Sequence, residues 1–173
     1  MRWWWQAQLW VHAVWPARRI LPGRGPVRWV RLPKVLLADP ASLGDGDLRV
    51  HVAARMAVGV RGAALLLRRG RKARSWRQGL GDGLVQYELP GWPDPFWVDV
   101  GPESARGGWG PPPRDFSARV RFSDVRQAVM AQEKSLDIPA EVGAGRLQID
   151  GRFPLVEGLD EAMRKAAEIL EGP

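Results

Sequence analysis

The chain has 173 residues, of which 45% are hydrophobic and 26% charged, and it contains no cysteine. This composition is typical of one globular domain with its own core, and the missing thiols exclude disulfides, thiolate metal sites and cysteine nucleophiles. The net charge of +7 is uneven, since residues 1–90 hold 16 basic and five acidic residues, whereas residues 91–173 hold ten and 14. A basic N-terminal half predicts a face that attracts anions.

The first 25 residues form a tryptophan-rich element that contains "RWWWQAQLWVHAVW". A helical and an extended template both fit its apolar residues, and we favour a helix that packs partly on the domain and leaves some tryptophan at the surface. Aromatic rings beside basic residues are typical of a membrane interface, so Trp3, Trp4, Arg18 and Arg19 are candidate contacts with an anionic membrane. The element would dock on the membrane, cover the mouth of an apolar pocket, or do both.

The clearest periodicity covers residues 48–60, where every second residue is apolar. A period of two predicts a half-buried strand. Residues 64–76 predict a hairpin whose turn lies at Gly70, and "VRWVRL" at 27–32 fits either a short strand or a loop.

The predicted hairpin carries the one concentrated basic cluster of the sequence. Three interpretations stay open: a solvated turn, a contact with a membrane, or an interface for nucleic acid, which no recognition motif accompanies. For the last two, the candidate contact residues are Arg68, Arg69, Arg71, Lys72, Arg74 and Trp76.

The C-terminal half predicts alternating strands and two helices. Strand-like patterns occupy residues 84–89, 95–100 and 116–122, and two short pieces flank Gly151 within 145–156. Ser123 and Asp124 are suited to cap a helix that begins near Val125. A final helix is predicted over 158–173 from its apolar spacing and its terminal Gly-Pro.

Catalytic chemistry has little support in the sequence. Only His12 and His51 are available for a histidine-based site, and no metalloprotease motif, phosphate loop or nucleophile elbow occurs. We therefore assign no catalytic residue, no metal ligand and no cofactor. A hydrolase or isomerase without a recognisable motif is kept as an alternative.

The order of pieces over residues 115–170 resembles the sterol carrier protein 2 (SCP2) family. The resemblance rests on "ARVRFS", a helix, then "RLQIDG" at 146–151 and a closing helix. Lipid-binding accessory factors of bacterial ubiquinone synthesis are similar over the same stretch. The resemblance implies an α/β (α+β) domain with a mostly antiparallel sheet of about five strands, helices on one face and an apolar tunnel between them.

The resemblance also implies a function. It predicts a single SCP2-like domain over residues 1–173, without enzyme activity, that binds or transfers a fatty acyl, isoprenoid quinone or sterol-like lipid. We expect it to be cytoplasmic and peripheral at the membrane. The alternative from another class is a basic module that binds nucleic acid or an acidic protein. The residues implied to line the tunnel are Val120, Phe122, Val125, Val129, Leu147, Ile149, Phe153, Met163 and Ile169.

Overall fold

The computed structural model describes residues 2–14, 36–70, 72–133 and 137–171. The predicted piece 27–32 lies outside these ranges, as do Arg18, Arg19 and Arg71. In chain order the helices and strands described are α1 (Arg2–Leu9), α2 (Asp45–Arg69), α3 (Ala73–Leu80), β1 (Gly83–Glu88), β2 (Phe96–Val100), β3 (Ala105–Trp109), β4 (Ala118–Phe122), α4 (Val125–Gln132), α5 (Ile138–Gly143), β5 (Leu147–Gly151) and α6 (Phe153–Glu171).

The five strands form one mixed sheet in the order β3-β2-β1-β4-β5. Strands β1 and β4 pair in parallel, whereas the other three pairs are antiparallel. The predicted α+β class with a mostly antiparallel five-stranded sheet is therefore confirmed. Tyr87 lies at the centre of this sheet, since it pairs with Phe96 on one side and with Val120 on the other.

The two faces of the sheet differ in chemistry because side chains alternate along each strand. One face carries buried apolar residues such as Val85, Val98 and Val120, and the two long helices pack against it. The opposite face carries charged ladders, in which Arg121 lies 2.8 Å from Asp150. The apolar core thus lies between the sheet and the helices.

Helix α2 replaces the predicted strand at 48–60. The predicted hairpin at 64–76 is formed instead by the end of α2 and the start of α3, so both predictions are wrong. Fifteen of its 25 residues are buried, because it lies between the sheet, α6 and the N-terminal segment. A helix covered on most sides shows no polar stripe, and its valines produced an accidental period of two. By length and composition α2 could cross a bilayer, but 78% of its apolar window is buried in the fold, as in a core helix.

The C-terminal elements begin at recognisable caps. The Asp124 carboxylate accepts a hydrogen bond of 2.9 Å from the Gln127 amide, which confirms the predicted start of α4. Asp137 accepts a hydrogen bond from Ala140 in the same way and begins α5, which was not predicted. Strand β5 ends at Gly151, but the predicted strand piece after it is wrong, because α6 already begins at Phe153.

The tryptophan-rich element is helical at its start, as favoured from the sequence. Helix α1 continues into a π-helical turn, Trp10–Val14. Leu9, Ala13 and Val14 are buried against the domain, whereas Trp4 is 51% and Trp10 is 48% exposed. The segment therefore packs on the domain along one side and presents aromatic rings to solvent along the other.

Candidate functional site

A cleft opens between the apolar face of the sheet and the helices α2, α4 and α6, and we name it the Met163 cleft. Its volume is about 190 Å³. Apolar side chains from all four elements form most of its wall, and charged groups from α2 and α6 complete it. The lining residues are Arg55, Met56, Gly59, Tyr87, Phe122, Ala128, Ala131, Gln132, Asp160, Met163, Arg164, Ala167 and Glu168.

Gly59 shapes the cleft because it contributes no side chain. A Cβ atom at this position would lie 3.3 Å from the sulfur of Met163. Met56 lines the cleft one helical turn earlier. Methionine side chains are unbranched and adopt many rotamers, so the wall opposite Gly59 can move without displacing a helix.

The polar side chain of Tyr87 on β1 lines the cleft. Tyr87 is 3% exposed, and its hydroxyl has no hydrogen-bond partner among the residues that the structure describes. Burial raises the pKa of the Tyr87 hydroxyl far above its ordinary value, and the nearby Asp160 carboxylate adds to this effect. The Tyr87 hydroxyl therefore stays protonated and able to donate.

Several charged groups near the cleft form ion pairs with one another. The Arg164 guanidinium donates to Glu161 over 2.6 Å and also pairs with Glu168. Hydrogen bonds from Arg164 and Lys165 lower the pKa of Glu161 to about 2. Arg164 is thus neutralised by its own helix.

The predicted tunnel residues are divided between the cleft, the core and the surface. Phe122 and Met163 line the cleft, and Ile169 lines a separate groove. The remaining six take other places: Val120, Val129 and Leu147 are buried in the core, Val125 and Ile149 are partly buried against it, and Phe153 is 41% exposed.

A second depression, which we name the Trp76 groove, lies between the end of α2, helix α3 and α6. Its volume is about 600 Å³, and its lining residues are Leu66, Gly70, Lys72, Ala73, Ser75, Trp76, Lys165, Glu168 and Ile169. The Lys165 ammonium lies 4.7 Å from the centre of the Trp76 ring. Predicted membrane contacts, Lys72 and Trp76, therefore surround an apolar floor at this groove.

The rest of the basic cluster is not the surface of one hairpin. Arg68, Arg69, Lys72 and Arg74 are exposed, and Arg69 donates to the Gln8 side chain over 2.8 Å. Arg77, from the same stretch, is buried, and its Nη1 donates to the Leu67 carbonyl oxygen near the end of α2. Of the N-terminal candidates, Trp4 is exposed, and the side chain of Trp3 lies outside the described part of the chain.

The carboxylates of Asp82, Glu141 and Glu161 are held in their ionised form by basic side chains. Hydrogen bonds from Arg114 lower the pKa of Asp82, and those from Arg146 lower the pKa of Glu141. A general acid or base works best with a pKa near the operating pH, so these shifts run against such a role. Within the described ranges, no group of three His, Asp or Glu side chains could hold a metal ion.

Sequence reasoning missed the residues of α2 that shape the cleft. Met56 and Gly59 were assigned to a strand, and Tyr87 and Gln132 were not singled out. One signal was present: residues 45–69 contain no proline, and an apolar stretch of that length is longer than the four to eight residues of an ordinary strand.

Solved structures with a similar fold include several SCP2 domains. Sterol Carrier Protein 2 from Yarrowia lipolytica, in its apo form, has a TM-score of 0.49 and 12% identity over 64% of this chain and 91% of its own. The sterol carrier protein domain 2 of Helicoverpa armigera gives 0.47 and 12%, over 65% and 88%. A UbiJ-SCP2 ubiquinone synthesis protein gives 0.46 and 14%, over 61% and 84%.

No family model matches the sequence, and no curated protein sequence matches it.

Proposed function

We propose that this protein is a carrier that binds an apolar ligand in the Met163 cleft and changes no bond in it. The observation that supports this most is the cleft itself, which lies between the sheet and three helices and is walled by Met56, Phe122 and Met163. Binding of this kind needs buried apolar surface and no acid or base. The predicted ligand classes are a fatty acyl chain, an isoprenoid quinone and a sterol-like lipid, as the solved neighbours are named for sterol and ubiquinone.

The cleft widens when the ligand binds. A volume of about 190 Å³ is smaller than the roughly 300–1,000 Å³ of most ligand sites. Met56 and Met163 are the flexible groups of its wall, and Gly59 leaves room for Met163 to change rotamer. Only part of a long lipid fits the cleft as it stands, so the rest of the ligand occupies space that these side chains vacate.

Filling the space beside Gly59 tests this proposal. Delipidated full-length protein is titrated with a fluorescent long-chain lipid analogue, and Gly59→Leu is compared with Gly79→Leu. Gly79 is an exposed residue of α3 with nothing within 4 Å of an added Cβ, so Gly79→Leu makes the same substitution in a helix without filling the cleft. We expect Gly59→Leu to raise Kd at least about tenfold, which is 1.4 kcal/mol, and Gly79→Leu to bind like the wild type.

Two results would contradict the carrier proposal: wild-type protein that binds no lipid analogue, or equal affinity in both variants. Circular dichroism of each variant shows whether it is folded. Mass spectrometry of ligands that co-purify with the protein then identifies the chemical class.

We further propose that the ligand is acquired at an anionic membrane surface, from a cytoplasmic location. Two features support this: the Trp76 groove, whose apolar floor is flanked by Lys72 and Lys165, and the exposed rings of Trp4 and Trp10. Tryptophan and basic side chains together are typical of the interface between water and lipid. Glu168 lines both the groove and the Met163 cleft, so the two sites adjoin along α6.

A further inference from the structure

The Met163 cleft contains two buried polar atoms that the fold leaves without a partner among the described residues: the hydroxyl oxygen of Tyr87 and the Oε1 atom of Gln132. Both residues line the cleft. Buried polar groups are paired in nearly all proteins, because an unmade hydrogen bond inside a protein is costly. Two such atoms in one cleft point to a ligand that supplies their missing hydrogen bonds.

The hydrogen-bonding role of Gln132 follows from its other amide atom. Gln132 Nε2 donates to the Val52 carbonyl oxygen of α2 over 3.4 Å. This bond orients the amide, since only the nitrogen can donate. Oε1 is therefore the free atom, and it can only accept a hydrogen bond.

The hydrogen-bonding role of Tyr87 is complementary. Its hydroxyl lies in an apolar setting at the middle of the sheet, where it remains neutral and can donate or accept. The Asp160 carboxylate acts electrostatically on this hydroxyl. A carboxylate placed here would meet no donor at Gln132 Oε1, since that atom can only accept.

We propose, on the premise of the carrier function above, that Tyr87 and Gln132 determine specificity by selecting an apolar ligand with an uncharged hydroxyl group over one with a carboxylate. A ligand hydroxyl accepts a hydrogen bond from Tyr87 and donates one to Gln132 Oε1, so both atoms gain a partner. A carboxylate can only accept from Tyr87, and it leaves Gln132 Oε1 beside an anion without a donor. Arg55 also lines the cleft. Its positive charge would attract a carboxylate and therefore acts against the proposed preference.

Competition between two ligands of equal chain length tests this assignment. Dodecan-1-ol and dodecanoate are titrated, at neutral pH, against the fluorescent lipid analogue bound to delipidated wild-type protein. We expect the alcohol to bind at least about tenfold more tightly. Tyr87→Phe, which keeps the ring, and Gln132→Met, which keeps the length, are each expected to weaken the alcohol about fivefold and to reduce its preference over the carboxylate.

A direct readout is available because the chain contains a single tyrosine. Protein labelled with ¹³C at the tyrosine ring carbon that carries the hydroxyl gives one resonance, and we expect it to move on addition of the alcohol. Dodecanoate that binds as well as the alcohol, or an unchanged preference in Tyr87→Phe, would overturn the specificity and leave the carrier function standing. Displacement of the analogue by neither ligand would also overturn the specificity alone, whereas wild-type protein that does not bind the analogue would remove both proposals.

Discussion

Gly107 of β3 lies directly against the carbonyl oxygen of Val60 in α2, and a methyl group at position 107 would overlap that oxygen. Backbone touches backbone here, so neither side can give way by changing a rotamer. We expect Gly107→Ala to force α2 away from the sheet and to lower the free energy of unfolding by about 1–3 kcal/mol, the usual cost of overpacking.

Urea denaturation measures this effect, and Gly101→Ala is a matched control. An added Cβ at Gly101 would make an ordinary contact of 3.6 Å, so this variant should stay within about 0.5 kcal/mol of the wild type. Equal stability of the two variants would show that α2 does not rest on Gly107.

Arg77 stabilises the end of α2 through a hydrogen bond to Leu67, which lies ten positions earlier in the sequence. Its guanidinium is buried and donates to the carbonyl oxygens of Leu67 and, over 3.3 Å, of Pro102. We expect Arg77→Ala to destabilise the protein by about 2–3 kcal/mol, since hydrogen bonds from charged groups are strong and the carbonyls would be left unpaired. Thermal unfolding of Arg74→Ala, an exposed arginine on the same helix, supplies the comparison and should differ little from the wild type.

Glu161 makes stability depend on acid pH. Its pKa falls from 4.5 to about 2 in the folded protein because Arg164 and Lys165 donate to its carboxylate. A lowered folded-state pKa contributes stability above pH 4.5, and this contribution is lost as the pH falls from 4.5 towards 2. The side chain is 39% exposed, so solvent screening limits the effect to less than about 1 kcal/mol.

Melting temperatures of the wild type and Glu161→Gln, measured from pH 7 to pH 2, test this dependence. We expect the wild type to be the more stable above pH 5 and the two curves to converge near pH 2. A difference that does not change with pH would mean that packing, and not the carboxylate charge, sets the contribution of this residue.

Vesicle sedimentation tests the membrane contact proposed for the Trp76 groove. Lys72→Gln and Arg74→Gln each remove one exposed positive charge near the groove, and each charge is worth about 1 kcal/mol at an anionic surface. We expect each variant to bind phosphatidylserine-containing vesicles about fivefold more weakly than the wild type.

Arg126→Gln, an exposed arginine on α4 that does not line the groove, is the control and should bind normally. High salt should weaken all binding. Equal weakening by all three substitutions would indicate a diffuse charge effect without a docking site.

Strands β1 and β4 could be predicted from sequence because their apolar residues alternate, and β2 because it is a short apolar run between two loops rich in proline and glycine. Strand β5 was expected from the pattern of "RLQIDG". Helix α2 could not be recognised in the same way. Its burial on several sides removes the polar stripe by which a helix is recognised, and its valines favour strands by propensity. Strand β3 was missed for a different reason. Its Gly107 and Gly108 allow close packing of the backbone, but in sequence a pair of glycines is typical of a loop.

The site was predicted only where its wall belongs to correctly assigned elements. Phe122 on β4 and Met163 on α6 were expected from the resemblance, and both line the cleft. The places of Met56 and Gly59 on the cleft wall depend on the helical state of α2, so they could not be inferred from a predicted strand. Tyr87 was placed on the correct strand, but sequence shows neither its burial nor the lack of a partner for its hydroxyl.

The packing of α1 against α6, and of the π-helical turn Trp10–Val14 against α2, has a consequence for synthesis on the ribosome. Helix α1 leaves the ribosome more than a hundred residues before α6, so the surface that covers Leu9, Ala13 and Val14 is incomplete during most of translation. An apolar, tryptophan-rich segment in that condition is a target for chaperones and for nearby membrane. Helix α1 is therefore synthesised well before α6, the helix that later covers it.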